Sequence, residues 1–232
     1  IDAGSITKGD FHLPDGTIEQ RIYIGDDIVV TEAQLKAMQV VEGQTRQYRT
    51  NNLVTGNNRT IDILGYTAND GFGLSSKGQT ALGWAVANYN RLSGVTLQFN
   101  LTFGSNFTNS DMVIYDNSGN NSGSGGVAGF PTNAGAPHKF IQIYNLDGFS
   151  TNVNEHVITH EIGHAVGFRH SDWFDRLSCG SAQNEGAGSA GAIHVAGTPT
   201  GRDVSSIMQA CFSSSADGEF NNNDITALRN MY

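Results

Sequence analysis

Positively charged side chains are scarce in this 232-residue chain, which has 13 Lys and Arg against 22 Asp and Glu and a net charge of −9. That balance argues against nucleic acid and anionic membranes as partners. No apolar run approaches the roughly 20 residues that span a bilayer, so we expect no membrane-spanning segment. Apolar residues nevertheless make up 38% of the chain, which excludes a wholly disordered protein and allows a packed core.

Charged side chains are unevenly distributed along the chain. Residues 1–49 carry 13 charged side chains, or 27%, whereas residues 50–232 carry 22, or 12%. The second segment also holds 24 of the 29 glycines. Ordinary globular chains are about 25% charged and about 7% Gly. We therefore predict two parts, an N-terminal appendage over 1–49 and a larger domain over 50–232.

The first segment contains little apolar material. Its residues 21–24 and 28–30 have the composition of short strands, and 31–38 that of a helix with Thr31 as its N-cap. So small a set of apolar side chains cannot form its own core. We expect this segment to lie on the rest of the chain.

The second segment alternates strand and helix patterns. Apolar residues at helical spacing predict one helix from about Lys77 to Ser93 and a second from about Val153 to Val166. Between and around them lie runs typical of strands, and a last helix is predicted with Asn223 or Asp224 as its N-cap. The predicted strands cover 59–66, 95–103, 111–115 and 140–144.

The strongest motif is His160-Glu161-Ile-Gly-His164-Ala-Val-Gly167-Phe-Arg-His170. On a helix, His160 and His164 leave the same face. Gly167 allows the backbone to turn sharply out of the helix and bring His170 to the other two. Three imidazoles suit Zn²⁺ and leave its fourth position open, as in catalytic zinc sites, and Glu161 is placed to act as general base.

This motif resembles the signature of the metzincin clan of zinc endopeptidases. The exact string His-Glu-Ile-Gly-His, with the low charge and high Gly and Asn content, is most similar to the dual-action HEIGH metallopeptidases of Bacteroidetes. The resemblance implies a Met-turn at Met208. It also implies an α+β metzincin catalytic domain, with a twisted, mostly parallel sheet, two main helices and an irregular C-terminal subdomain ending in a helix. Unlike astacins, the chain has Ser171 after the third histidine and Ala210 two residues beyond the Met.

Tyr23-Ile-Gly25-Asp26 resembles the F-x-G-D element of astacin pro-segments, whose Asp occupies the open zinc position. A carboxylate oxygen is a competent zinc ligand, and Gly25 lets the backbone approach the cleft closely. Two alternatives remain open, a simple turn between strands and Asp27 acting instead. No cysteine lies in 1–49, so a thiolate switch is excluded. We predict a pro-segment that inhibits its own domain through Asp26 and is removed between Arg46 and Thr50.

The two cysteines, Cys179 and Cys211, form an even pair, which in a secreted chain predicts a disulfide. The region 126–144 resembles the edge strand with which matrixins bind extended substrate. Within it, the predicted substrate-binding residues are Gly126, Val127, Ala128, Gly129 and Phe130, and Phe212 is expected to shape the pocket for the residue after the scissile bond.

The sequence therefore predicts a secreted, monomeric zinc endopeptidase in latent form, surface-attached before processing or free, whose partners are a peptide or protein substrate and its own pro-segment. Calcium ligands at Asp111, Asp116 and 117–121 are not supported, because their spacing matches no EF-hand loop. Two alternatives stay open. One is a catalytically silent, metal-stabilised binding module, and the other is an active protease whose N-terminal segment does not inhibit it.

Overall fold

The structure, a computed structural model, describes residues 6–25, 27–32, 35, 47–180, 182–186, 191–199 and 202–232. Asp26 and most of the helix predicted over 31–38 lie outside the described residues. The strands are β1 (Ile6–His12), β2 (Ile18–Ile24), β3 (Ile28–Val30), β4 (Tyr48–Arg49), β5 (Thr60–Tyr66), β6 (Gln98–Gly104), β7 (Met112–Asp116), β8 (Gly125–Val127), β9 (Phe140–Tyr144) and β10 (Ile193–His194), and the helices are α1 (Ser76–Asn90), α2 (Thr151–Ala165) and α3 (Asn222–Met231). In the described part of the chain, each helix is too short or too polar to cross a membrane.

A five-stranded sheet in the order β6-β5-β7-β9-β8 forms the centre of the molecule. Its first four strands are parallel, and β8 is antiparallel to β9. The central strand β7 is a nearly continuous apolar run, with Met112, Val113, Ile114 and Tyr115 fully buried, as expected for a parallel strand covered on both faces. The α+β fold with a mostly parallel sheet is thus confirmed.

The helices α1 and α2 pack against each other, and both contact the sheet. Each starts at a serine N-cap, Ser75 or Ser150, whose hydroxyl accepts a hydrogen bond from a backbone N–H in the first turn. Helix α2 is buried on almost every side, so its apolar residues do not form a single stripe. The Tyr89 hydroxyl of α1 donates to the Thr159 carbonyl of α2 at 2.9 Å. This bond connects the two helices at the residue directly before His160.

The last helix begins two to three residues earlier than the sequence predicted. Its N-cap is Asn221, whose side chain accepts from the backbone N–H groups of Asn223 and Asp224. The Asp224 carboxylate in turn accepts from the Asn221 N–H. This capping box satisfies the free N–H groups of the first turn. The helix then buries Leu228 and Met231 in the main core.

The N-terminal strands form a separate three-stranded antiparallel sheet, β1-β2-β3. Ile22, Ile24, Ile28 and Val30 pack together with Phe130 of the second segment. The predicted strands at 21–24 and 28–30 are confirmed, and the segment completes its small core with a residue of the larger one, as expected. The proposed division at residue 49 stays a prediction.

Candidate metal centre and cleft

Helix α2 and the turn after it bring three histidines together. His160 and His164 lie on one face of α2, which ends at Ala165. Gly167 has φ = +111°, a conformation that favours glycine, and a Cβ there would fall 2.9 Å from Leu53. The chain therefore leaves the helix at Gly167 and returns His170 to the first two histidines.

The ring nitrogens of these histidines converge. The Nε2 of His170 lies 3.0 Å from that of His164 and 3.2 Å from that of His160. The Asp27 carboxylate completes the group, with Oδ2 2.8 Å from His170 Nε2 and 3.8 Å from His160 Nε2. Among the described residues, these four form the group of side chains that could hold a metal ion.

The other ring nitrogen of each histidine is held by an oxygen acceptor. The Nδ1 of His160 lies 2.8 Å from the Ile207 carbonyl, and that of His164 lies 2.9 Å from the Phe168 carbonyl. A carbonyl only accepts, so each Nδ1 carries the proton and the Nε2 of the neutral ring has a free lone pair. Two such lone pairs cannot bond to each other, but both can donate to a cation.

Burial and neighbouring charges shift the pKa values of the histidines and of Asp27. Burial lowers the pKa of the His164 ring. Burial acts in the same sense on His170, but the Asp27 and Glu185 carboxylates outweigh it and raise its pKa to about 10. Burial would raise the pKa of Asp27, yet His170 and His160 hold it well below its usual range. The centre thus favours a negative carboxylate beside positive charge.

Glu161 lies next to this group, and is 2% exposed. Its Oε2 is buried and has no hydrogen-bond partner among the described residues. Burial, together with the Asp27 charge, raises the pKa of this carboxyl well above its ordinary value. Strand β8 passes close over it, since a Cβ on Gly126 would fall 2.6 Å from Glu161 Cγ and 2.8 Å from Oε1. The carboxyl is thus enclosed and is not engaged in a structural bond.

Met208, the residue of the predicted Met-turn, packs against α2 at Gly163, which precedes His164. It is buried, and a Cβ on Gly163 would fall 2.6 Å from its sulfur. The glycine of His-Glu-Ile-Gly-His therefore makes room for Met208. The Ser171 N–H donates to the Met208 carbonyl at 2.7 Å, which connects the turn to the residue after His170.

Asp224 supports the same turn from α3. Its Oδ1 accepts from the Ser206 hydroxyl at 2.7 Å, and its Oδ2 accepts from the Ile207 N–H at 3.1 Å. The Ile207 carbonyl in turn holds His160. A continuous set of hydrogen bonds thus runs from the N-terminus of α3 to the first histidine.

We expect Gly163→Ala to lower the melting temperature by about 2–6 °C. The new methyl would gain about 1 kcal/mol of helix propensity but would displace the buried Met208 sulfur, at a cost of about 1–3 kcal/mol. Gly83→Ala in α1 is the matched control, because a Cβ there meets nothing within 4 Å, and it should leave stability unchanged or raise it. Thermal unfolding of both variants measures the difference. Equal melting temperatures would show that Gly163 does not make room for Met208.

The loop after His170 is tied to the segment after Met208 in two ways. The predicted disulfide between Cys179 and Cys211 is formed. Asp172 is buried and accepts from the Ala210 N–H at 2.9 Å and the Ser178 N–H at 3.1 Å. These bonds also hold the pKa of the Asp172 carboxyl below its usual value, although burial alone would raise it.

Glu185 is a buried residue of the site that the sequence did not predict. Its Oε1 lies 2.5 Å from His170 Nδ1, and its Oε2 lies 3.3 Å from the Arg169 guanidinium. Glu185 follows His170 by 15 residues, in a loop of irregular backbone with no recognisable motif. A fully buried arginine directly before a ligand histidine implies a buried anion nearby, but that signal does not identify which acid supplies it.

A cavity of about 230 Å³ opens beside Glu161. Gly126 and Phe212, two of the predicted substrate-binding residues, line it together with Tyr144 and His156. Burial lowers the pKa of His156 to about 4, so its ring is neutral at neutral pH. We call this cavity the cleft pocket.

The remaining predicted substrate residues lie along the N-terminal segment. Ala128 forms a parallel bridge with Ile28, donates to the Asp27 carbonyl at 3.0 Å and accepts from the Val29 N–H at 2.9 Å. Val127 packs with Val29 and Phe130 packs with Ile28. The stretch from Gly126 to Phe130 is thus beside β3, and its role in binding substrate stays a prediction.

Of the two adjacent acids, Asp27 is the one that the structure places at the histidines. Asp26 lies outside the described residues, so its predicted role is not tested. Gly25 has φ = +64°, and a Cβ there would fall 1.8 Å from the Arg176 guanidinium, which also lines the cleft pocket. The close approach expected of Gly25 is confirmed.

Comparison with known proteins adds to this geometry. The family model described as dual-action HEIGH metallo-peptidase matches residues 22–232. Two solved structures of myroilysin are 13% and 14% identical to this chain, with TM-scores of 0.47 and 0.48; they cover 78% and 88% of it and 96% of their own chains. No curated protein sequence matches it.

Proposed function

Because the chain belongs to the dual-action HEIGH metallopeptidase family, and is therefore a metallopeptidase, we propose that it is a zinc-dependent endopeptidase present here in a latent form. The observation that carries the proposal is the convergence of three Nε2 atoms on one point beside an unbonded, buried Glu161. A tetrahedral zinc ion with bonds of about 2.0–2.1 Å needs nitrogens roughly 3.3 Å apart. The observed spacings of 3.0 and 3.2 Å fit that donor set.

His160, His164 and His170 would hold the zinc, and the hydrogen bonds to the Ile207 and Phe168 carbonyls keep the first two rings in place. When bound, zinc supplies a Lewis acid that polarises the scissile carbonyl and makes water acidic near neutral pH. Glu161 takes the proton of the attacking water and delivers it to the leaving amine. The enclosing strand at Gly126 keeps the Glu161 carboxyl directed at the reacting atoms.

The same site supports latency through Asp27. A substrate that pairs with an exposed edge adds a strand to it. In this structure β3 already occupies the edge at Ala128, and the Asp27 carboxylate lies 2.8 Å from His170 Nε2. The N-terminal segment therefore covers both the backbone and the metal position that substrate needs. Cutting the chain between Arg46 and Thr50 would allow it to leave.

Secretion and a monomeric state are parts of the same proposal. A disulfide persists in oxidising compartments, and Cys179–Cys211 is formed.

A catalytically silent, metal-stabilised module is the second candidate, since the three histidines alone would produce it. The buried and unbonded Glu161 favours the enzyme, because a structural site has no use for such a carboxyl.

Zinc analysis and a cleavage assay test the proposal together. The full chain and a chain beginning at Gln47, which keeps the buried Gln47 and strand β4, are each dialysed against zinc, and casein and unblocked peptides are offered as substrates. We expect one zinc per chain, internal cleavage by the shorter chain, and loss of cleavage on adding a chelator. Zinc without any cleavage would support the silent module, and trimming of peptide ends alone would exclude an endopeptidase. Equal activity of the two chains would overturn the latency.

A further inference from the structure

The third histidine is held differently from the first two. His160 and His164 each present Nδ1 to a neutral backbone carbonyl, whereas His170 presents Nδ1 to the Glu185 carboxylate at 2.5 Å. A carboxylate accepts a stronger bond than a carbonyl does. The three proposed ligands are therefore unequal, and His170 is the one with an anionic partner.

Glu185 is itself firmly held. Its side chain is fully buried, and its backbone N–H donates to the Trp173 carbonyl at 2.9 Å. The Arg169 Nη2 lies 3.3 Å from its Oε2, and the Arg176 Nε lies 3.5 Å from its Oε1. An isolated buried carboxylate is costly, and two guanidinium groups at these distances offset that cost.

Arg169 is fixed in turn by the residues around it. Its guanidinium donates to the Gly186 carbonyl at 2.9 Å and the Gly191 carbonyl at 3.2 Å, and lies over the rings of Phe130 and Trp173. Planar stacking and forked donation are properties of arginine that lysine lacks. The position of Glu185 is thus determined by a rigid set of contacts.

We propose that Glu185 is a positioning residue that orients His170 and strengthens it as a metal ligand. Acceptance of the Nδ1 proton fixes the ring so that Nε2 faces the other two histidines, and the negative charge increases the electron donation of Nε2. Partners of this kind change metal affinity by about 10- to 100-fold. The inference rests on the proposed metal site but concerns a residue outside the ligand set.

The test compares zinc affinity in the full-length wild-type chain and in full-length Glu185→Gln and Glu185→Asp, by competition with a coloured chelator. Glu185→Gln keeps the shape but removes the charge, so we expect zinc binding about 10- to 100-fold weaker. Glu185→Asp keeps the charge and should recover part of the loss. Glu219→Gln is the matched control, since Glu219 pairs with Arg91 at an exposed site, and its zinc affinity should equal that of wild type.

The second readout is spectroscopic. The absorption of bound Co²⁺ reports ligand strength and geometry, and we expect Glu185→Gln to shift its bands. If Glu185→Gln does not fold, the paired variant Arg169→Met with Glu185→Met removes the carboxylate together with the fully buried guanidinium and leaves Arg176 as the one remaining charge of the three, and it should fold with the same loss of zinc affinity. Wild-type zinc affinity and an unchanged Co²⁺ spectrum in a folded variant would overturn the inference. Failure of the wild-type chain to bind zinc would instead overturn the proposed function.

Discussion

Replacing Glu161 by Gln should abolish peptide cleavage while leaving bound zinc in place. Glu161 is not among the converging ligands, and its Oε2 has no partner among the described residues, so the substitution removes a base without removing a ligand. General base catalysis by a positioned carboxylate contributes about 10²–10⁴-fold. We therefore expect kcat/KM to fall by at least about 10²-fold in the chain beginning at Gln47, measured with a quenched fluorescent peptide and accompanied by metal analysis.

Glu155→Gln is the control on the same helix. Glu155 is also buried, and its carboxyl accepts from the Asn88 side chain at 2.8 Å. Burial raises its pKa to about 7, so an uncharged amide is a close substitute at neutral pH. This variant should keep activity within about threefold of wild type. Comparable losses in both variants would indicate damage to α2 rather than loss of a base.

The helix that carries the proposed zinc ligands was predictable because its information is local. His160, Glu161 and His164 are set by helical spacing and Gly167 belongs to the same motif, whereas Met208 was implied only by the resemblance to the metzincin clan. The main strands and both long helices were predictable for a related reason, since their apolar residues recur with the period of the element. Each of these predictions depends on residues that are neighbours in the chain.

The features that were not predicted depend on contacts between residues that lie far apart in the chain. Glu185 contacts His170 because an irregular loop folds back on itself, and a loop of this kind has no periodic sequence pattern from which the contact could be predicted. Strands β8 and β10 are two or three residues long, too short to show alternation. Strand β1 is mostly polar and exposed on both faces, so its pairing with β2 left no apolar pattern to detect.

The choice between Asp26 and Asp27 is a problem of the same kind. Both are acidic and both follow Gly25 in the sequence, so composition and local pattern do not decide between them. Asp27 is held at the histidines by the backbone pairing of Ile28 with Ala128, a contact across 100 residues.

The second large effect is expected for Asp27→Ala in the full chain, which should cleave a peptide at least about tenfold faster than the wild-type full chain. Loss of the carboxylate removes the atom 2.8 Å from His170 Nε2, and a tenfold change corresponds to about 1.4 kcal/mol, less than such a bond to a charged group contributes. The backbone bonds between β3 and Ala128 remain. The variant should therefore stay slower than the chain beginning at Gln47.

Asp26→Ala is the matched control, because it removes an adjacent carboxylate of the same kind. If Asp27 blocks the metal, Asp26→Ala stays as latent as wild type and Asp27→Ala does not. The reverse order would return the role to Asp26, as the likeness of Tyr23–Asp26 to the astacin element suggests. Latency unchanged in both variants would mean that occupation of the edge at Ala128 by β3 is sufficient, and that the carboxylate adds nothing to it. The initial rate of peptide cleavage, measured before any processing of the chain, separates these three outcomes.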